Sequence, residues 1–118
     1  LRRGEHGANV RRGAQVDVAD NDGNTPLIAA AWCGNLEAAR LLLDRGAEIN
    51  AANRKGRTPL IGAAGQDHID MVRLLLSSGA DRHHEDVNGQ TAADHAKLQE
   101  HKDVFRLLTS QAGRTRRG

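Results

Sequence analysis

The chain has 118 residues, of which 38% are hydrophobic and 2% aromatic, and its formal net charge is +2 at neutral pH. This length allows one domain, and no apolar run is long enough to cross a bilayer. Because 7 of the 17 basic residues lie in the two ends with only Glu5 against them, residues 13–112 hold 10 basic and 14 acidic side chains, a net charge of −4. Nucleic-acid binding by this central part is therefore disfavoured, since it requires a clustered basic face.

One pattern recurs three times along the chain at intervals of 33 residues. Gly23, Gly56 and Gly89 each lie in a predicted turn, and Thr25-Pro26 and Thr58-Pro59 follow the first two turns. A threonine hydroxyl caps a helix N-terminus, and proline suits the first helical turn because its missing N–H has no helical partner there. Each copy is therefore predicted to begin with a short helix.

Two helices are predicted in each copy. The first contains small residues, Ala29, Ala30 and Ala31 in copy one and Ala63 and Ala64 in copy two, which allow a neighbouring helix to approach closely. The second has an apolar stripe at helical spacing. Its residues are Leu36, Leu41, Leu42 and Leu43 in copy one and Ile69, Val72, Leu74, Leu75 and Leu76 in copy two. Glycines that tolerate a left-handed turn are predicted to end these helices at positions 34, 46 and 79.

The 33-residue pattern resembles the ankyrin repeat family over about residues 13–112. The resemblance implies an all-α ankyrin-repeat solenoid of stacked helix-turn-helix units with hairpin-like loops. Its repeats would span residues 20–52, 53–85 and 86–112. The third copy has Ala92-Ala93 in place of Pro-Leu and carries polar side chains along its helices, so we expect a C-terminal capping repeat.

The two ends are predicted to lie outside this array. Residues 1–19 would form a flexible basic flank that includes the tail of a truncated repeat, and residues 113–118 a basic disordered tail. Because the chain begins with Leu1 and lacks upstream helices, we expect a piece of a longer protein. The apolar N-terminal face of copy one would then be exposed, covered by residues 1–12, or used for self-association.

Neither a catalytic centre nor a metal or cofactor site is predicted. Cys33 has no candidate base, no glycine-rich phosphate loop occurs, and the six histidines lack a zinc-binding spacing. Asp20, Asn53 and Asp86 are assigned a structural role, bonding the backbone of the loop before each helix. The lone cysteine cannot form an internal disulfide, which favours an intracellular compartment, cytoplasmic or nuclear.

In ankyrin repeats the partner usually lies in the concave groove formed by hairpin tips and first helices, so the resemblance implies a non-catalytic protein-protein interaction module. Carried over position by position, the partner-binding residues are Asn21, Asp22, Asn24, Trp32, Cys33, Arg54, Lys55, Arg57, Gln66, Val87, Asn88, Gln90, Leu98 and Gln99. Two alternatives stay open. The array is a spacer or regulatory part of a larger enzyme or scaffold, or the arginine-rich ends bind nucleic acid weakly.

Trp32 is the strongest single candidate, because tryptophan is enriched among residues that carry binding energy. The alternative is that Trp32 packs against copy two and covers the core. Arg54, Lys55 and Arg57 form a cationic cluster that would meet an acidic stretch of a partner, or else a solvated turn. Leu98 would extend an apolar track from Trp32, or pack in the terminal repeat.

Three further positions carry predictions. Asn50 lies in a context similar to that in which asparaginyl hydroxylases modify ankyrin repeats, although its main role is expected to be a hydrogen bond to the adjacent loop. Asp67 stands where copy one has Gly34, so the turn there should be strained or altered. Arg82 replaces the apolar Ile49 of copy one, which predicts that the junction between copies two and three is the weakest.

Overall fold

The computed structural model describes the backbone of residues 16–114 and the side chains of residues 16–109. Most of the predicted basic flank and tail therefore lies outside the described residues. Six helices form within the described part of the chain. They are α1 (Pro26–Cys33), α2 (Leu36–Asp44), α3 (Pro59–Gly65), α4 (Ile69–Ser77), α5 (Ala92–Leu98) and α6 (Lys102–Arg114). The predicted all-α fold with two helices in each copy is confirmed.

Threonine begins the first helix of every copy. The hydroxyl groups of Thr25, Thr58 and Thr91 accept hydrogen bonds from the backbone N–H three residues later, at 3.2, 3.3 and 3.2 Å. Helices α1 and α3 then open on proline, as predicted. Helix α5 lacks the proline, and instead Asp94 Oδ2 accepts a 3.0 Å hydrogen bond from the backbone N–H of Thr91. This reciprocal pair satisfies two N-terminal donors that the helix itself leaves unpaired.

The helices stack in two layers. The first helices α1, α3 and α5 pack side by side as the inner layer, and each also packs against the second helix of its own copy. The inner layer is close-packed because its buried positions hold small residues: Ala31, Ala63, Ala64 and Ala96 have no exposed surface. Leucine and valine from both layers complete the core. The prediction of a tightly packed inner helix is thus confirmed.

Hydrogen-bonded hairpin loops join the copies along one edge of the stack. The Oδ1 atoms of Asp20, Asn53 and Asp86 each accept two backbone N–H groups of their own loop, at 2.9–3.0 Å. Successive hairpins are also linked: the Arg54 N–H donates to the Asp22 carbonyl and the Val87 N–H to the Lys55 carbonyl, both at 3.0 Å. The predicted structural role of the three loop side chains is confirmed.

Side chains also bridge successive copies on the helical side of the loops. The Oδ1 atom of Asn50 accepts a 2.9 Å hydrogen bond from the Asp81 N–H, which is the loop bond predicted for Asn50. Asp17 makes the equivalent 3.1 Å contact with the Glu48 N–H, and Val16 is buried. Asp17 therefore makes for copy one the contact that Asn50 makes one repeat later, and the tail of a truncated earlier repeat stays a prediction.

Two of the three turns between the first and second helices are strained. Gly34 ends α1 in the left-handed conformation at φ 74°, and Asp67 adopts the same conformation at φ 62°, which is the predicted strain. Glu100 does so as well at φ 62°, which was not predicted. Only glycine enters this region without a side-chain clash.

The junction between copies two and three is held partly by polar contacts, whereas an apolar residue packs at the equivalent place of the first junction. Ile49 packs against the core at the first junction. At the equivalent place Arg82 Nη1 donates a 2.6 Å hydrogen bond to the Leu108 carbonyl. His84 Nε2 donates to the Gly56 carbonyl at 3.0 Å. The relative weakness of this junction stays a prediction.

The N-terminal face of copy one is open only in part. Leu27 is fully buried, whereas Ala38 and Leu42 are half-buried and their counterparts Met71 and Leu75 in copy two are almost or fully buried. Self-association through this face stays a prediction. Within residues 16–114, no helix has both the length and the apolar character needed to span a membrane.

Candidate partner-binding groove

The hairpin loops and the inner helices border a groove that contains two cavities, each of about 410 Å³. The first cavity lies between copies one and two, and the second between copies two and three. Trp32, Arg57 and Gly62 line both. The predicted partner-binding residues that line the first cavity are Asp22, Asn24, Trp32, Cys33, Arg54, Lys55 and Arg57. Those that line the second are Trp32, Arg57, Gln66 and Gln99.

Trp32 is supported on one side and open on the other. It projects from α1 with 49% of its surface exposed. A Cβ atom placed on Gly62 of α3 would lie 3.6 Å from Trp32 Cε3, so the indole ring rests on the bare backbone of the neighbouring helix. The carbonyl of Trp32 also accepts a 2.9 Å hydrogen bond from His68 Nε2. Packing against copy two is therefore confirmed, and half of the side chain remains accessible.

Helix α3 presents little side chain to the groove. Gly62 and Gly65 stand at the positions that Ala29 and Trp32 occupy in copy one. A Cβ atom on Gly65 would meet no heavy atom within 4 Å, so the space above it is open. Because glycine costs about 1 kcal/mol relative to alanine inside a helix, these two residues lower the intrinsic stability of a seven-residue helix. The Trp32 ring covers Gly62, which is buried, whereas the absence of a side chain at Gly65 leaves open space on the groove floor.

Asp86 connects the third hairpin to α5. Its side chain has no exposed surface, and its Oδ2 atom accepts a 2.8 Å hydrogen bond from His95 Nε2. Burial by itself raises the pKa of this carboxyl group, but hydrogen bonds from the Gln90 N–H, His95 and the Asn88 N–H outweigh it, so the pKa of Asp86 lies below its usual value. Asp86 is thus a charged carboxylate that accepts three hydrogen bonds.

Arg57 is the half-buried cation at the centre of the groove. Its Nε atom lies 3.8 Å from Asp86 Oδ2, which is beyond hydrogen-bond distance, and this buried nitrogen has no hydrogen-bond acceptor among the described residues. The backbone N–H of Arg57 is fixed by a 3.0 Å bond to Asn53 Oδ1. The guanidinium group is therefore held on a rigid loop with incomplete pairing.

The first hairpin carries the acidic residues of the groove. The pKa of Asp20 is lowered chiefly by the hydrogen bond from the Asn24 N–H, and this carboxylate is committed to its own loop. Asp22 is exposed beside it. Arg54 and Lys55 of the second hairpin are exposed as well, so the groove has a cationic middle and an acidic first edge.

Five predicted residues lie outside both cavities: Asn21, Val87, Asn88, Gln90 and Leu98. Val87 and Leu98 are 69% and 62% exposed. An apolar track from Trp32 to Leu98 is interrupted, because Gly65 occupies the equivalent position between them and has no side chain.

Sequence reasoning missed five residues that line the second cavity: Ile61, Gly62, Gly65, His95 and His101. The prediction considered only the ends of the first helices. Gly62 and His95 stand at the position of Ala29, one turn earlier, so the 33-residue spacing carried the signal that would have found them.

No metal centre is built from the part of the chain that the structure describes, since its His, Cys, Asp and Glu side chains form no group of three or more suited to an ion. Cys33 is exposed and unpaired with another cysteine. Four histidines of the described residues, His68, His84, His95 and His101, have hydrogen-bond partners for Nε2: His101, for example, donates to the Gly65 carbonyl at 3.1 Å.

Comparison with known families agrees with this stack of helix-turn-helix units. A family profile described as ankyrin repeats (many copies) matches residues 10–63, and one described as ankyrin repeats (3 copies) matches residues 46–115. The chain belongs to the ankyrin repeat family. No curated protein matched it. Ankyrin repeats are generally protein-protein interaction modules and typically non-catalytic, and no catalytic family was found.

Proposed function

We propose that this chain is a non-catalytic module that binds a segment of a partner protein in its concave groove. The observation that carries the proposal is the half-exposed Trp32 between the two cavities. Tryptophan is the residue most enriched at binding hot spots, and burying its free half would remove apolar surface from water.

The rigidity of the groove supports the proposal. The hairpins are fixed by backbone bonds between neighbouring copies and by the loop side chains of Asp20, Asn53 and Asp86. A surface ordered before binding loses little conformational entropy when a partner arrives. Most of the conformational entropy lost on binding would therefore be lost by the partner, which we expect to be an extended segment.

The proposed contacts are expected to contribute unequally to the binding energy. Trp32, Arg57 and the residues that line the first cavity form the centre, whereas Val87, Asn88 and Leu98 form a rim around it. We expect the rim to contribute less, because fully desolvated central contacts dominate binding energy. Intracellular location, hydroxylation of Asn50 and self-association remain additional expectations.

The test is a capture experiment with a matched control. The 118-residue chain, its Trp32→Ala variant and its Leu41→Ala variant are immobilised, and proteins retained from a cell lysate are quantified by mass spectrometry. Leu41 is 50% exposed on α2 and lines neither groove cavity, so it controls for the loss of an exposed apolar side chain. Circular dichroism confirms that all three are folded.

We expect at least one protein that both the unmodified chain and the Leu41→Ala variant retain and that Trp32→Ala loses. Loss of a hot spot weakens affinity by about 2 kcal/mol or more, which is about 30-fold. Equal retention by all three forms would place binding elsewhere. Retention of nothing would favour the alternative of a spacer within a larger protein.

A further inference from the structure

We infer that the partner segment presents a carboxylate to Arg57, so that the groove selects an acidic residue next to an apolar one. The inference rests on the proposed function and adds the chemistry of the partner to it. It follows from a difference between two equivalent contacts in the hairpins.

The first of these contacts is complete. Asn53 Nδ2 donates a 2.9 Å hydrogen bond to Asn24 Oδ1, which joins the hairpins of copies one and two. The same two positions one repeat later hold Asp86 and Arg57. These opposite charges would be expected to form the closer contact of the two, since charge-assisted hydrogen bonds are shorter and stronger than neutral ones.

The second contact is incomplete because His95 competes for the carboxylate. Asp86 Oδ1 is occupied by two backbone N–H groups, and Asp86 Oδ2 by His95 at 2.8 Å. Arg57 Nε stays at 3.8 Å from Oδ2, without a hydrogen bond among residues 16–109. This Nε atom is itself buried, but neither Nη atom of Arg57 forms a hydrogen bond among residues 16–109, so the guanidinium group retains donors that fit a carboxylate brought by another molecule.

The surrounding charges favour the same occupant. Arg54 and Lys55 are exposed beside Arg57, and no salt bridge holds either of them within the described residues. The side chains that line the first cavity include three cations, Arg54, Lys55 and Arg57, and two carboxylates, Asp20 and Asp22, so the lining has a net charge of +1. This net positive charge favours an acidic segment over a basic one.

The position of Arg57 determines which kind of residue should lie next to the acidic residue in the partner segment. Arg57 and Trp32 border both cavities, and the open space above Gly65 of α3 lies beside them in the second cavity. A partner main chain can approach α3 closely at Gly65 while one side chain reaches Arg57 and the next covers Trp32. An acidic residue followed or preceded by an apolar one satisfies this arrangement.

The test uses a display library of random peptides of about twelve residues, selected on the 118-residue chain. The affinities of recovered peptides are measured for the unmodified chain and for its Arg57→Gln, Trp32→Ala and Arg73→Gln variants. Arg73 is an exposed arginine on α4 that lines neither groove cavity, so it controls for the loss of one positive charge. Two variants of each peptide are also made: one has the acidic residue replaced by the corresponding amide, Asn or Gln, and the other has it replaced by phosphoserine.

We expect recovered peptides to share an acidic residue beside an apolar one. Arg57→Gln and the change of the peptide carboxylate to an amide should each weaken binding about tenfold, and together no more than either alone, because both remove the same contact. Arg73→Gln should leave affinity within about twofold. The amide arm keeps the inference testable if Arg57→Gln does not fold.

Three results would overturn the inference. Peptides that show no enrichment in acidic residues but still require Trp32 would refute the inference of a partner carboxylate. The proposed function would not be affected by that result. Peptides insensitive to both Trp32→Ala and Arg57→Gln, or failure to recover any, would remove the inference and the proposed function together. Much tighter binding of the phosphoserine form than of the carboxylate form would assign the site to a phosphorylated segment instead.

Discussion

Replacing Asp86 by alanine should destabilise the repeat stack strongly. The side chain is fully buried and accepts hydrogen bonds from Asn88, Gln90 and His95. Each such bond contributes about 1 kcal/mol net, so we expect the loss of all three to lower the free energy of unfolding by about 3 kcal/mol. For an array of this size that corresponds to a fall in Tm of roughly 15 °C.

The assay is urea unfolding followed by circular dichroism, with Asp20→Ala as the matched control. Asp20 occupies the same repeat position and bonds its loop backbone in the same way, but it is exposed and has no histidine partner. We therefore expect a smaller effect from Asp20→Ala. Asp86→Asn should fall between the two, because it keeps an acceptor for the loop. If Asp86→Ala and Asp20→Ala lower the free energy of unfolding equally, the hydrogen bond from His95 to Asp86 does not stabilise the contact between hairpin and helix.

Further predictions concern the left-handed turns and acid pH. Gly34→Ala should lower the free energy of unfolding, measured in urea, by more than about 1–2 kcal/mol. The reason is that φ is 74° at Gly34 and the new Cβ would lie 2.7 Å from His68 Nδ1. An unchanged urea midpoint would contradict this prediction. Asp67→Gly should stabilise by about 0.5–1 kcal/mol, as relief of the strain at φ 62° exceeds the added chain entropy; a lower midpoint would be the opposite result. Because the folded-state pKa of Asp86 is lowered, its contribution is present above the unfolded-state pKa of about 4 and is lost as pH falls through the folded-state value. The stability difference between the unmodified chain and Asp86→Asn should therefore shrink below about pH 4, and a constant difference down to the acid transition would contradict the shift.

Local signals in the sequence were sufficient to predict the repeat architecture. Threonine caps, Thr-Pro helix starts and small residues in the first helices act within one copy or between adjacent copies, and the structure places them as expected. The loop roles of Asp20, Asn53 and Asp86 were predictable for the same reason. Each side chain bonds backbone atoms two and four residues ahead.

Contacts that depend on competition between side chains were not predictable. His95 and Arg57 both approach Asp86, and only the relative position of hairpin and helix decides that His95 lies at 2.8 Å and Arg57 at 3.8 Å. The left-handed Glu100 was missed although it follows Asp67 by 33 residues, so the repeat spacing held the signal in this one case. The open groove floor required knowledge that Gly62 and Gly65 face the cavities rather than the core.

Trp32 also offers the most direct test of groove binding, because the chain contains one tryptophan and no tyrosine. Its emission and its quenching by acrylamide can be recorded while a tryptophan-free peptide from the display selection is added. We expect a shift to shorter wavelength and reduced quenching that saturate with the measured affinity, because the partner covers the exposed half of the indole ring. Saturable binding that leaves both signals unchanged would contradict the assignment of the groove as the binding site.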